Sequence, residues 1–284
     1  MLTMNKKISV ITTVYNVGEY IDKTINSVLS QTFQDWELIV VNDCTEDDSI
    51  EKVQNFIDER IKIINNEVNI GAGKSRQVGI DNASGDYIIF LDGDDWLKSD
   101  CLEQMYNAAV KEDADIVNCH IEIKNAPIKN KSFENEERFF TYLNNKLIKR
   151  SLFEKTNYSP LRLFEDINTL HRLLYLSTKV VKLDYVGYVY NIRPNSLTTS
   201  QENMYKYRIY EALAIMENVD FFEGLKFPYK HKYNKLLVFN LYYKYVSKIK
   251  GELKTEMFDE IETIRLWCEN QQEKIRNKIL AMFK

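Results

Sequence analysis

Residues 86–97 read DYIIFLDGDDWL. An apolar run of strand length ends, and three carboxylates, Asp92, Asp94 and Asp95, follow within four positions. A continuous apolar run of this length suits a strand buried on both faces, as in a parallel sheet covered by helices. Acids packed this closely repel one another unless water surrounds them or a positive group lies among them. The stretch therefore marks the end of a buried strand and a site just beyond it.

The flanking segments extend the pattern. Residues 8–15, ISVITTVY, predict a buried strand, and 18–31 a helix with Ile21, Ile25, Val28 and Leu29 at helical spacing. WELIVVND (36–43) predicts a second strand. DSIEKVQNFIDE (48–59) predicts a second helix, with Ile50, Val53, Phe56 and Ile57 on one face. IKIINN (61–66) is a third strand, 71–84 a third helix, and 86–91 the fourth strand. Such alternation argues for an α/β protein with a doubly wound, mostly parallel sheet. Ligands of these sheets bind beyond the carboxyl ends of the strands. TVYN follows the first strand, NDCTEDD the second and DGDD the fourth, so three polar loops converge on one edge.

Further along, 99–113 predicts a helix and 115–123 a strand, while 124–160 is polar and carries no clear period. Residues 165–177 predict a helix with acids at its start, and 180–193 two short strands rich in Val and Tyr. From about 203 the pattern is helical. The expected organisation is an α/β domain over 1–200 and a C-terminal helical region over 201–284.

The chain's 284 residues allow one large domain or two small ones. A net charge of −4 argues against a nucleic-acid partner. Cys44, Cys101, Cys119 and Cys268 form no CxxC pair, which favours a reduced, cytoplasmic setting and disfavours zinc. The start, MLTMNKKISVITTVY, lacks the features of a signal peptide, and no stretch approaches the ~20 apolar residues of a membrane span.

Asp92 and Asp94 have the D-x-D spacing that lets one turn hold a hard divalent cation and a ribose hydroxyl together. A solvated turn leading into a helix capped by Asp95 or Ser99 is the competing reading. The motifs ISVITTVYN, SVLSQTFQDWELIVVND, NIGAGKSRQVGIDNASGDYIIFLDGDD and FED, in this order, resemble the family 2 glycosyltransferases of GT-A fold. The resemblance covers roughly residues 6–200. It implies a Rossmann-like, mostly parallel sheet flanked by helices, and inverting, nucleotide-sugar-dependent transfer.

By that resemblance, Thr13 and Tyr15 line the uracil pocket, and Asp43 accepts from the ring N–H. Arg76 lies near the nucleotide, Asp92 contacts the ribose or sugar, and Asp94 binds the Mn²⁺ or Mg²⁺ that bridges the diphosphate. Asp166 matches the catalytic base, and Arg193 a cation near the diphosphate. Each has a plainer alternative. Tyr15 suits a wedge between strand and helix, Arg76 a surface helix and Arg193 a loop cation. Acids at a helix start, such as Glu165 and Asp166, are favoured by the helix dipole alone. His171 lies five residues past Asp166 and does not share its face. One departure stands out: Cys44 replaces a glycine that tolerates unusual backbone angles.

Residues 226–250 hold seven lysines and no acid, interleaved with Phe and Tyr. They read either as a helix packed on the body or as an interfacial segment meeting an anionic membrane at the inner face of the plasma membrane. The final helix, 253–283, leaves a homodimer open. The expected activity is transfer from a UDP-sugar to a hydroxyl of a surface glycan, free or lipid-linked, such as capsule, lipopolysaccharide or teichoic acid. The rivals are an inactive nucleotide-sugar-binding partner of a glycan-synthesis complex, and a nucleotidyltransferase. The latter lacks the Gly-rich loop expected near the first strand.

Overall fold

The computed structural model describes residues 7–125, 142–193, 204–224, 238, 242–244, 246–249 and 255–282. They fall into two compact units. One comprises Met1–Pro160 with Thr169–Thr199, and the other Leu161–Asn168 with Ser200–Lys284.

The first unit is built on an eight-stranded sheet. Its strands are β1 (Ile8–Val14), β2 (Trp36–Asn42), β3 (Ile61–Asn65), β4 (Tyr87–Phe90), β5 (Trp96–Leu97), β6 (Ile116–Lys124), β7 (Lys146–Lys149) and β8 (Val180–Asn191). Their order is β3-β2-β1-β4-β7-β6-β8-β5. The helices are α1 (Ile21–Leu29), α2 (Ser49–Gln54), α3 (Ala72–Asp81), α4 (Cys101–Glu112) and α5 (Glu165–Leu176), whose residues up to Asn168 fall in the second unit. The run β3-β2-β1-β4 is parallel throughout. Beyond β4 the sheet is mixed: β7 is antiparallel to both β4 and β6, β8 runs parallel to β6, and β5 is antiparallel to β8.

Alternation along each strand sends side chains into two cores. Ile8, Val10 and Val14 pack with Ile21, Ile25 and Val28 of α1 and Leu102 and Met105 of α4. Ile11, Ile88 and Phe90 pack on the other face with Ile80, Leu170 and Leu173. Helices on both faces explain why β1, β2 and β4 read as continuous apolar runs. Strand order turns back between β1 and β4, which places the ligand crevice of such a sheet at their carboxyl ends.

Three expectations are corrected. The second helix ends at Gln54 rather than near 59: Asn55 and Phe56 close tight turns onto Lys52 and Val53, and Asp58 ties Arg60 into the entry to β3. Ile57 is therefore 101% exposed, off the apolar face. The segment 180–193 forms one long strand rather than two, because register shifts between Asn118, His120 and Ile121 absorb the irregularity on β6. The unassigned 124–160 contains β7, whose four residues are too few to show a period. In addition, the residue before α4 is Asp100, not Asp95 or Ser99, and its side chain makes no capping hydrogen bond.

The second unit has its own core. Helices α6 (Met204–Gly224) and α7 (Phe258–Met282) pack Ile209, Ile215 and Val219 with Ile261, Ile264 and Cys268. The basic aromatic segment 226–250 lies mostly outside the described residues. Among those described, no helix is long and apolar enough to cross a membrane.

Gly85 fixes how β4 enters beside β1. A Cβ there would lie 2.6 Å from the Ser9 backbone nitrogen and 2.8 Å from the Ile8 carbonyl carbon, atoms that cannot swing away. Gly85→Ala should cost about 1–3 kcal/mol, as overpacking does, measured by urea unfolding.

Candidate active site

The loop Asp92–Asp95 turns at the end of β4, with the Asp95 N–H bonded to the Asp92 carbonyl at 3.0 Å. It seats directly against the loop after β1. A Cβ on Gly93 would meet Val17 Cγ2 at 2.9 Å and the Thr13 carbonyl oxygen at 3.3 Å. The Thr24 hydroxyl of α1 fastens the same loop, bonded to the Gly93 and Asp95 carbonyls at 2.9 and 2.7 Å. The glycine of D-G-D-D is thus a close-approach residue that brings the acids beside Thr13 and Val17.

Each of the three acids has its own partners. Asp92 accepts from Arg76 Nη2 at 2.7 Å and from Asn144 Nδ2 at 2.5 Å, one on each oxygen. Asp94 pairs with Arg193 Nε through Oδ2. Burial raises Asp94 above the usual carboxylate range, the Asp92 charge adds to this, and Arg193 opposes it. Asp95 is fully buried and accepts from the Tyr188 hydroxyl at 2.5 Å and the Asn191 N–H at 2.8 Å. Burial, then the charges of Asp92 and Asp94, push it well above the ordinary range.

Arg76 is not a surface residue. It is buried on α3, and its Nη1 also donates to the Tyr158 hydroxyl at 3.0 Å. Arg193 likewise lies on Asp94 rather than in a solvated loop, 5.9 Å from the Tyr20 ring.

Asp43 follows β2 and is only 3% exposed. Its Oδ1 accepts from Asn66 Nδ2 at 3.1 Å and the Ile70 N–H at 2.8 Å, and its Oδ2 from the Gly71 N–H at 2.9 Å. A carboxylate has about four acceptor positions. Three are used to hold the loop that starts α3, which leaves room for one further donor. Thr13 lies near the end of β1, and Tyr15 just beyond it is 41% exposed. Among the described residues the Tyr15 ring meets no aromatic or cationic partner. The loops after β1 and β2 are laced together: the Asn16 N–H donates to Thr45 Oγ1 at 2.8 Å and the Gly18 N–H to Asp47 Oδ2 at 2.8 Å.

Asp166 lies in the first turn of α5, in the second unit, and its Oδ1 accepts from the Ile167 N–H. Phe164, two residues earlier, has φ 65°. That conformation is a genuine outlier for a bulky residue, and such strain gathers at functional sites.

The family model described as Glycosyl transferase family 2 matches residues 9–170, more than half of the chain. The chain belongs to that family.

The chain is 30% identical over 254 residues to "Glycosyltransferase GlyA" of Streptococcus pneumoniae. The match takes in 80% of this chain and 36% of GlyA, so the chain spans about a third of that relative's length. A crystal structure of S. aureus TarS 1–349 in complex with UDP-GlcNAc superimposes with a TM-score of 0.67 at 19% identity. It covers 92% of this chain and 81% of that one. Mannosyltransferase PcManGT from Pyrobaculum calidifontis, in complex with GDP-Man and Mn²⁺, gives 0.56 at 13% identity, over 98% and 87% of the two chains. Both are likenesses of fold, and the fold they share with this chain is the GT-A fold.

Asn144, Tyr158 and Tyr188 were not anticipated from the sequence. Asn144 lies in the segment without a period, and Tyr188 is one of several alternating tyrosines in β8. Nothing local distinguishes them.

Two outcomes follow. Tyr188→Phe removes a bond to a buried carboxylate and should cost about 1.5–3 kcal/mol in urea unfolding. Cys44 has φ 59°, a conformation that costs a non-glycine residue about 1–2 kcal/mol. Cys44→Gly should therefore be more stable than Cys44→Ala by about 1 kcal/mol, after glycine's greater unfolded-state entropy is allowed for.

Proposed function

We propose that the protein is an inverting, metal-dependent glycosyltransferase that moves a hexose from a UDP-sugar to a hydroxyl of a surface glycan. The observation that supports this best is the convergence at the carboxyl edge of β1, β2 and β4. Tyr15, Asp43, Arg76, Asp92, Asp94 and Arg193 all belong to this one unit. TarS supports a UDP-sugar donor, since its structure carries UDP-GlcNAc.

Thr13 and Tyr15 would form the wall on which the uracil stacks, Tyr15 being amphipathic and exposed. The remaining acceptor position of Asp43 would take the ring N–H. Arg76 and Asn144 hold Asp92 in one orientation towards the ribose or sugar. Arg193 balances Asp94 and would attract the diphosphate.

A divalent metal fits this donor set only as a shared ligand. Among the described residues no three His, Cys, Asp or Glu side chains form a cage. Asp94 Oδ1 has no side-chain partner among them. Mg²⁺ commonly takes one or two carboxylates and completes its shell with phosphate oxygens and water. When bound at Asp94, Mn²⁺ or Mg²⁺ would help to neutralise charge on the leaving diphosphate.

Asp166 would accept the proton of the acceptor hydroxyl. The acceptor oxygen forms its bond to the anomeric carbon as the bond from that carbon to the UDP oxygen breaks. A single displacement of this kind inverts the anomeric centre. The strained Phe164 backbone supports a placed role for the acid that follows it.

The test is release of nucleoside diphosphate from a panel of UDP- and GDP-sugars with Mn²⁺ or Mg²⁺ and candidate acceptors. Asp166→Asn should lower transfer by about 10²–10⁴-fold while UDP binding stays unchanged. Transfer at the wild-type rate in that variant would sink the base assignment. Asp94→Ala should abolish the metal-dependent part of UDP binding, read by calorimetry. Retention of that part would remove Asp94 as the metal ligand.

A further inference from the structure

Beside the acids lies a group of cations that glycosyl transfer as described does not use. Lys23 of α1 has its Nζ 3.0 Å from the centroid of the Trp96 ring. Among the described residues it has no carboxylate partner. An indole face holds an ammonium in place without supplying a formal negative charge. The ion is therefore positioned but not neutralised.

Its neighbours make the imbalance larger. Lys124 of β6 repels it, and burial together with that repulsion lowers the Lys23 pKa. Lys124 and Lys98 both pair with one acid, Glu122, the Lys98 pair at 2.6 Å. Two lysines thus share one glutamate, and Lys23 beside them pairs with no carboxylate among the described residues. The sheet fixes this arrangement: Val189 of β8 is flanked by Trp96 of β5 on one side and Glu122 of β6 on the other. Lys124 is registered with Asn191, two residues from Arg193.

The group adjoins the reaction centre. Trp96 is two residues from Asp94, a Cα span of at most about 7 Å. Tyr20, the N-cap residue of α1, lies three residues before Lys23, and its ring centroid is 5.9 Å from the Arg193 guanidinium. The uracil wall at Tyr15 and Asp43 is built by other loops, after β1 and β2.

We propose that Lys23, held over Trp96 beside Lys98 and Lys124, forms an anion subsite for a negatively charged substituent on the acceptor saccharide. The substituent is a phosphate or a carboxylate near the hydroxyl that is glycosylated. The acceptor assignment rests on the glycosyl-transfer reading, while the anion site rests on the cluster itself. An arriving anion relieves the repulsion between Lys23 and Lys124, and the indole has already paid much of the ordering of the long lysine side chain.

The experiment uses the full chain. Trp96 fluorescence is isolated by subtracting the signal of Trp96→Phe, and UDP binding is followed by calorimetry on the same samples. With UDP and Mg²⁺ saturating, the protein is titrated with glucose 1-phosphate, methyl glucuronide, methyl glucoside and inorganic phosphate. Saturable change with either charged sugar, and none with neutral methyl glucoside, is the expected result. The response to glucose 1-phosphate or to methyl glucuronide identifies phosphate or carboxylate as the preferred group. Lys23→Gln should weaken this binding about tenfold and leave UDP affinity unchanged, whereas Lys111→Gln should alter neither. Added salt should weaken it too.

Equal response to methyl glucoside, an unchanged affinity in Lys23→Gln, or inorganic phosphate binding as tightly as both charged sugars would overturn the proposal. Charged-sugar binding in a protein that binds no UDP would overturn the acceptor assignment. UDP binding without any charged-sugar response would leave the donor site standing and remove the subsite.

Discussion

Three carboxylates within four residues stay together at the end of β4 because each is held by a different part of the chain. Arg76 and Asn144 take Asp92, Arg193 takes Asp94, and Tyr188 with the Asn191 backbone takes Asp95. Helix α3, the segment before β7, and the end of β8 must all arrive at one place for this to work. The mixed half of the sheet serves that end. Because β8 runs parallel to β6 and antiparallel to β5, Tyr188 and Asn191 reach the loop that precedes β5. The mutual repulsion of the acids thus becomes a requirement on topology.

The same edge concentrates unusual backbone. Asn16 and Cys44 have positive φ in the loops after β1 and β2, where a side chain makes it costly, and Gly71 at the start of α3 has positive φ, which glycine takes without strain. Asp43 holds the last of these loops through two backbone N–H groups, so a residue suited to a ligand also carries structural load. Strain at such positions persists because the surrounding bonds over-determine it. In the second unit, Phe164 shows the same feature just ahead of Asp166.

Much of this was legible in residue order. The alternation of apolar runs and helical spacings located β1 to β4 and α1, α3 and α4 to within a few residues, since burial on both faces leaves a strong signal. The family followed from motifs in sequence order. The signal failed where elements were short or irregular. Residues Lys146–Lys149 give no period, and the bulged pairing of β6 hides the continuity of β8. Asn144 and Tyr158 gave no warning, because an asparagine or tyrosine in a polar stretch looks alike whether it faces water or a buried charge.

The sequence by itself determined the parallel half-sheet, the edge at which ligands of such sheets bind and the acids that stand there. Those depend on local periodicity and on the carboxyl-end rule, both of which survive in one dimension. Only the tertiary structure decided which partner each acid takes, that Asp43 is a scaffold as well as an acceptor, and that Lys23 stands over Trp96 with no carboxylate partner among the described residues. Those outcomes depend on pairings 16 to 99 residues apart, from Arg76–Asp92 to Arg193–Asp94. Electrostatic balance is settled by distance in space, and neighbouring residues in the chain do not record it.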